Sequence, residues 1–362
     1  MTAAVLKATN TDNLFAPPGA FANGIQGLGA ASVVLQTYAQ TLVAQPDINI
    51  DVLPTLLADQ KRAREAALQW LNTVNPATLQ GLVGLKSFAN EFDSYNAVLL
   101  PLARAIDSGD LAQLPRLIQG LQQLLATANQ CQQASVAIVD QVDAFAVRAR
   151  ADNAAFTAAE KTVEDKIEGD KGEIATLRAE LAELNRKMDA DITQIAVGAV
   201  SDIAGIALVV VGVVGTFATE GMAVTLVGAG IALVAGGTTA MAIAATELGG
   251  LQQQYAQALT DTVKLELQVA AFDTLAHQIN AHAAQSGDAV AACQTLSSAW
   301  GALADNLETL IRDLQNDVPG YLAMRLQTAN QRWKMIGQQV DQVLSVGNLP
   351  FKRVPALTLV KG

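Results

Sequence analysis

The stretch IAVGAVSDIAGIALVVVGVVGTFATEGMAVTLVGAGIALVAGGTTAMAIAA, Ile195 to Ala245, decides how the chain is read. Its only charged residues are Asp202 and Glu220. Ile203, Ile206, Leu208, Val209, Val210, Val211, Val213, Val214 and Phe217 load the first half with large apolar side chains. Met222, Val224, Leu226, Val227, Ile231, Leu233, Val234, Met241 and Ile243 load the second, and Thr219, Glu220 and Gly221 separate the two. As helices, the arms Ile195–Ala218 and Met222–Ala245 each exceed the roughly 20 residues that cross about 30 Å of hydrocarbon. The expectation is a membrane-inserting helical hairpin with its tip at Thr219, Glu220 and Gly221.

Small residues recur along both arms. Gly198, Gly205 and Gly212 are seven apart, and Gly228, Ala232 and Gly236 follow a four-residue step. Such rows let helices approach closely in lipid. Ser201, Asp202, Thr216, Thr219, Glu220, Thr225, Thr238 and Thr239 gather toward the ends and tip rather than in a stripe. A helix lining an aqueous channel needs a polar face. The segment therefore spans or anchors, and a conducting pore needs a second subunit with an amphipathic segment. In water the same surface has to be hidden, since exposed apolar area drives association.

Outward from this segment the periodicity is helical. Ahead of it Ile167, Ile174, Leu181, Met188 and Ile195 are seven apart, with Phe156, Val163, Leu177 and Leu184 in the companion row. Gly169 and Gly172 fall inside this repeat and predict a bend or break. Behind it, Leu251, Tyr255, Ala258, Thr262, Leu265, Val269, Phe272, Ala276 and Ile279 begin a ladder that resumes from Val290 to Leu314. If continuous from Gly250 to Asn316 it would run for about 100 Å.

Helices are also predicted over Leu28–Ala44, Asp51–Val74, Pro76–Ala105 and Tyr321–Val346. Asn75-Pro76 is expected to end the second, and Pro101 to kink or break the third. A turn falls at Asp107–Asp110. Asn10–Pro18 and the tail from Asn348 to Gly362 read as extended. The fold class is all-α, an elongated bundle of long helices forming a tail with an inserted hydrophobic helical hairpin as head. The domain division is 1–194 plus 247–362 for the tail and 195–246 for the head.

Composition agrees with long helices: 51% of residues are hydrophobic but only 4% aromatic, so Ala, Val and Leu carry the apolar load. Lys and Arg total 23 against 34 Asp and Glu, and a net charge of −11 repels phosphate backbones, so nucleic acid is excluded as a partner. Cys131 and Cys293 lie outside any C-x-x-C pattern and are expected as buried free thiols, although sequence leaves a pairing open. Met1–Pro18 has Lys7 as its only charge before Asp12 and no apolar run of about seven residues, so no secretory signal is expected there. That leaves two routes, a resident membrane protein or a chain made soluble and inserted later.

Chemistry is sparse. His277 and His282 fall about 140° apart on a helix, which argues against a shared metal. Val224–Gly230 reads as a strand entering Gly228-Ala229-Gly230, yet Leu233 occupies the third glycine position of a dinucleotide turn and no βαβ unit surrounds it. No cofactor and no enzymatic activity are expected.

The layout of long helices, heptad row ending at Ile195, hydrophobic hairpin, ladder from Leu251 and helical return resembles the cytolysin A superfamily of α-helical pore-forming toxins. More narrowly it is similar to the tripartite haemolysins related to haemolysin BL and the non-haemolytic enterotoxin. The resemblance rests on architecture. It implies a component secreted in soluble form that rearranges into longer helices, inserts in the target-cell bilayer, forms a homo-oligomer in the pore, and acts with an amphipathic lining component and a membrane-attaching component. The two apolar arms are similar to the membrane-spanning B-type component. The competing expectation is a resident helical scaffold or receptor-like rod anchored by the hairpin.

Overall fold

The computed structural model describes residues 13–45, 47, 53–166, 173–201, 207–210, 213–219, 222–228, 231–234, 246–247, 249–251, 254, 264–316, 318, 320–347 and 357–359. Long helices dominate: α1 (Ala20–Ala44), α2 (Leu56–Gln69), α3 (Asn75–Asp107), α4 (Leu114–Lys166), α5 (Glu173–Ser201), α6 (Lys264–Asn316) and α7 (Leu322–Gly347). Between α5 and α6 lie four strands, β1 (Ala207–Val210), β2 (Val213–Thr219), β3 (Met222–Gly228) and β4 (Ile231–Val234), and β5 (Leu357–Leu359) follows α7. The helical architecture is the expected one. The chain divides into two compact units, one of Met1–Ile25, Gln80–Ala137 and Gln294–Asp341, the other of Gln26–Leu79, Ile138–Cys293 and Gln342–Gly362.

The first unit is built on aromatic rings at helical spacing. Trp300 meets Phe21 and Phe88 edge-on, with ring centroids 4.9 and 5.2 Å apart, and Trp333 packs against Phe88 at 4.9 Å and Phe92 at 5.7 Å. Each such pair contributes about 1 kcal/mol beyond the area it buries. The lead-in expected to be extended joins this cluster: Phe15 is buried and its carbonyl accepts the Trp333 indole N–H at 3.0 Å. An apolar anchor between prolines and asparagines docks the segment, a long-range contact that local turn signals do not reveal.

In the second unit Trp70 packs on Phe145, and Phe156 stacks on Phe272 at 6.1 Å. The Arg64 guanidinium donates to the Gln45 carbonyl at 2.6 Å and so satisfies an acceptor at the end of α1. Two helix ends differ from expectation. α1 begins at Ala20, ahead of Leu28, because Phe21 and Ile25 already belong to its buried face. Asn75-Pro76 does not end a helix: residues Trp70–Val74 form a π turn, with the Asn75 N–H reaching back to the Trp70 carbonyl, and α3 runs on. The widened turn makes room for the proline ring where a regular turn would clash. Pro101 likewise sits inside an unbroken α3.

α4 is described as far as Lys166 and α5 from Glu173, and the break expected at Gly169 and Gly172 lies outside the described residues. Trp333, Ile336, Val340 and Val343 are buried on α7 as expected, and of the two free thiols Cys293 is buried while Cys131 is only half-buried.

Candidate membrane-active segment

In the chain as folded here Leu208, Val209 and Val210 lie on β1, Val213, Val214, Phe217 and Thr219 on β2, Met222, Val224, Leu226, Val227 and Gly228 on β3, and Ile231, Ala232, Leu233 and Val234 on β4. Val-rich runs interrupted by glycine favour an extended backbone, because β-branched side chains lose rotamers in a helix and glycine weakens it. Gly198 remains helical on α5. Ile203, Gly205, Ile206, Val211, Gly212, Glu220, Gly221, Gly236, Met241 and Ile243 lie outside the described residues.

The strands share one register. β1 and β4 pair antiparallel from Ala207↔Val234 to Val210↔Ile231, and β2 and β3 continue from Val213↔Gly228 to Thr219↔Met222 without a slip. Both ladders are centred between Thr219 and Met222, although β1 and β4 form one two-stranded sheet and β3, β2 and β5 another. β5 adds to the outer edge of β2 in parallel, with Gly215↔Leu357, Thr216↔Thr358 and Phe217↔Leu359. Part of the expected extended tail therefore has a defined partner, and it covers an edge that would otherwise offer unpaired N–H and C=O groups.

Among the described residues no helix is long and apolar enough to cross a membrane. A small sheet with open edges cannot cross one either, since its outer N–H and C=O groups would have no partner in hydrocarbon.

The helix leading into this segment is held by polar contacts that sequence reasoning missed. Arg178 of α5 forks onto Asp273 of α6, its Nε at 2.8 Å from Oδ2 and Nη2 at 2.9 Å from Oδ1. Eleven residues further along α5, Asp189 accepts from the buried hydroxyl of Tyr38 on α1, and the same oxygen meets Nε2 of His277 on α6 at 3.1 Å. Burial, reinforced by the Asp189 charge, pushes the Tyr38 hydroxyl well above its ordinary range and keeps it a donor. No periodicity or motif in the sequence singles out Arg178 or Asp189. Their partners lie 95 and 151 residues away, beyond any local signal. His277 thus has an acid partner, and His282 is buried edge-on against Phe145. Among the described residues no group of His, Cys, Asp and Glu could hold a metal ion.

Comparison with known proteins follows the same lines. Residues 16–191 match the sequence profile of the family described as Bacillus haemolytic enterotoxin (HBL). No curated protein matches the chain significantly. Among solved structures, soluble AhlB of the tripartite alpha-pore forming toxin of Aeromonas hydrophila is similar, with 22% identity over 92% of this chain and 95% of that one, and a TM-score of 0.73. Soluble SmhA of the tripartite toxin Smh of Serratia marcescens gives 16% identity over 93% and 98%, with a TM-score of 0.76. The HblL1 toxin component of Bacillus cereus gives 15% over 91% and 96%, with a TM-score of 0.69. Residues 16–191 thus carry the sequence pattern of the Bacillus haemolytic enterotoxin family, and nine-tenths of the chain carries the fold of tripartite α-pore-forming toxin components.

Proposed function

We propose that the chain is the membrane-spanning component of a multi-component α-helical pore-forming toxin, lysing target cells together with an amphipathic lining component and a membrane-attaching component. It is secreted in a soluble form and oligomerises in the pore. It performs no catalysis.

The observation that carries this reading is the apolar ladder centred between Glu220 and Gly221, on a fold shared with soluble tripartite-toxin components. In water its backbone groups are paired in sheet form. In hydrocarbon an open-edged sheet is untenable, and the same residues are long enough to supply two spanning helices, Ile195–Ala218 and Met222–Ala245. Large apolar side chains from Ile203 to Ile243 would face lipid, the small-residue rows from Gly198 to Gly236 would bring the arms together, and Thr219-Glu220-Gly221 would lead through the bilayer. Segment 195–246 is then the head, and 1–194 with 247–362 the tail.

Identity is higher to AhlB and the TM-score is higher to SmhA, so similarity alone does not assign the component. The length of both apolar arms and their lack of a polar stripe favour the spanning role over the lining one.

Dye release from liposomes by the purified chain, alone and with the partner components encoded beside it, tests the reading. Release only in combination is expected. Full release by the chain alone would contradict the need for a polar-faced partner, and no membrane binding in any combination would favour a resident or scaffold protein.

A further inference from the structure

Within the second unit, α4, α5 and α6 enclose an open cleft of about 430 Å³. Each helix lines it with residues i, i+3, i+4 and i+7, counted from Asn153, Arg178 and Asp273. That spacing is one continuous helix face. Among the described residues eight of the twelve lining side chains are polar, where the seam of three packed helices would ordinarily be apolar. Of the other four, Phe156 and Leu181 are buried, and Ala182 and Ala276 offer only methyl groups.

Most of the charged groups are already engaged. Arg178 forks onto Asp273, His277 meets Asp189, and Asn153 donates to Oδ1 of Asn280 at 3.2 Å. Asn185 is different. It keeps only 7% of its surface, lines the cleft and makes no hydrogen bond among the described residues. A carboxamide so enclosed costs about 1–3 kcal/mol when nothing satisfies it. Beside it, Asn153 still has its carbonyl oxygen to offer and Asn280 its amide N–H groups, and the Glu160 carboxylate has no partner among the described residues. The unused capacity is therefore three carboxamides, one from each helix, and one carboxylate, with the arginine already committed to Asp273.

We propose that this cleft binds a neutral sugar, one hexose-sized unit held through its hydroxyl groups. Each hydroxyl both donates and accepts, as a carboxamide does, and a carboxylate such as Glu160 can take hydrogen bonds from two neighbouring hydroxyls. The methyl groups of Ala182 and Ala276 suit the C–H face of a pyranose ring. The volume falls in the roughly 300–1,000 Å³ range of small-molecule sites. Anionic sugars and phosphates are disfavoured, because Glu160 and Asp273 outnumber Arg178 and the whole chain carries −11. Sugar binding here does not depend on pore formation and is measured without it.

Saturation-transfer NMR on the full-length chain, without partner components or lipid, measures binding of glucose, galactose, mannose and N-acetylglucosamine at millimolar concentration. N-acetylneuraminic acid and putrescine serve as charged controls. At least one neutral sugar is expected to bind saturably. Asn185→Leu, whose apolar side chain cannot answer a hydroxyl, should raise the dissociation constant at least tenfold. Asn280→Ala should raise it several-fold, and Lys86→Ala, which breaks an ion pair to Asp341 in the other unit, should leave it unchanged. Should Asn185→Leu fail to fold, Asn280→Ala and Glu160→Gln, on side chains that are not buried, carry the same test. Phosphatidylcholine vesicles bearing the bound sugar as a glycolipid headgroup separate its two sources. Co-sedimentation beyond that with plain vesicles, lost in the same variants, identifies a membrane glycan, while binding of the free sugar alone identifies a soluble saccharide. Binding of no neutral sugar, binding indifferent to these variants, or preference for either charged control would overturn the proposal.

Discussion

The imidazole of His282 stands edge-on to the ring of Phe145, centroids 5.3 Å apart at 86°, and its buried Nε2 has no hydrogen-bond partner among the described residues. Burial pulls its pKa down to about 4 from the usual 6.5. Between these values the unfolded chain binds a proton that the folded chain refuses, so stability rises with pH across the window and is lost as pH falls from 6.5 toward 4. The full loss is about 3 kcal/mol at 1.36 kcal/mol per unit. Urea midpoints at pH 7 and pH 4.5 should show a fall in the parent that is much smaller in His282→Leu. Asp152 and Asp191, which burial raises, act in the opposite sense in both proteins and cancel from the comparison.

α7 is capped from a distance. The Asp107 carboxylate accepts the Leu322 and Ala323 N–H groups at 3.0 Å each, while Tyr321, just before the helix, is exposed with φ at 65°. Asp107→Ala should cost about 1–2 kcal/mol, as loss of an N-cap does. Tyr321→Gly should stabilise by about 1 kcal/mol by removing the left-handed penalty of a side chain that packs on little. Thermal melts of the two variants should therefore move in opposite directions.

Gly24 is the site of closest approach between α1 and α6. A Cβ there would lie 2.7 Å from Cγ and Cδ2 of Leu296 and 3.3 Å from its backbone nitrogen. Gly24→Ala should thus destabilise by roughly 1–3 kcal/mol through overpacking, despite the helix propensity gained. Denaturant titration against Gly84→Ala, where a Cβ meets nothing within 4 Å, separates the two effects.

Burial pushes the thiol of Cys293 up to about 12 and that of Cys131 up to about 11. The thiolate is the reactive form, so neither should be alkylated appreciably at pH 8 in native protein, and both should react in denaturant. Mass spectrometry after iodoacetamide treatment gives the count.

Val227→Asp places a charge near the middle of the second apolar arm. At about 3 kcal/mol for a carboxylate at the centre of a spanning helix, dye release with partners should fall at least tenfold while the protein remains soluble. Unchanged release would argue against a buried membrane position for β3 residues.

What the sequence determined by itself is what local periodicity encodes. The helices are long because Ala- and Leu-rich stripes recur every 3.6 residues, and α6 ends before Val318-Pro319-Gly320. Tertiary structure decided the rest. Pro76 lies within continuous helical structure because a π turn opens behind Trp70, and Phe15 is buried because Trp333 receives its carbonyl from across 318 residues. Asp189 meets Tyr38 and His277 only in the folded chain, partners that no local pattern announces. The Val- and Gly-rich arms are compatible with either secondary structure. Which one forms is set by where their backbone hydrogen bonds can be satisfied, and that depends on neighbouring strands such as β5 and on whether the surroundings are water or lipid.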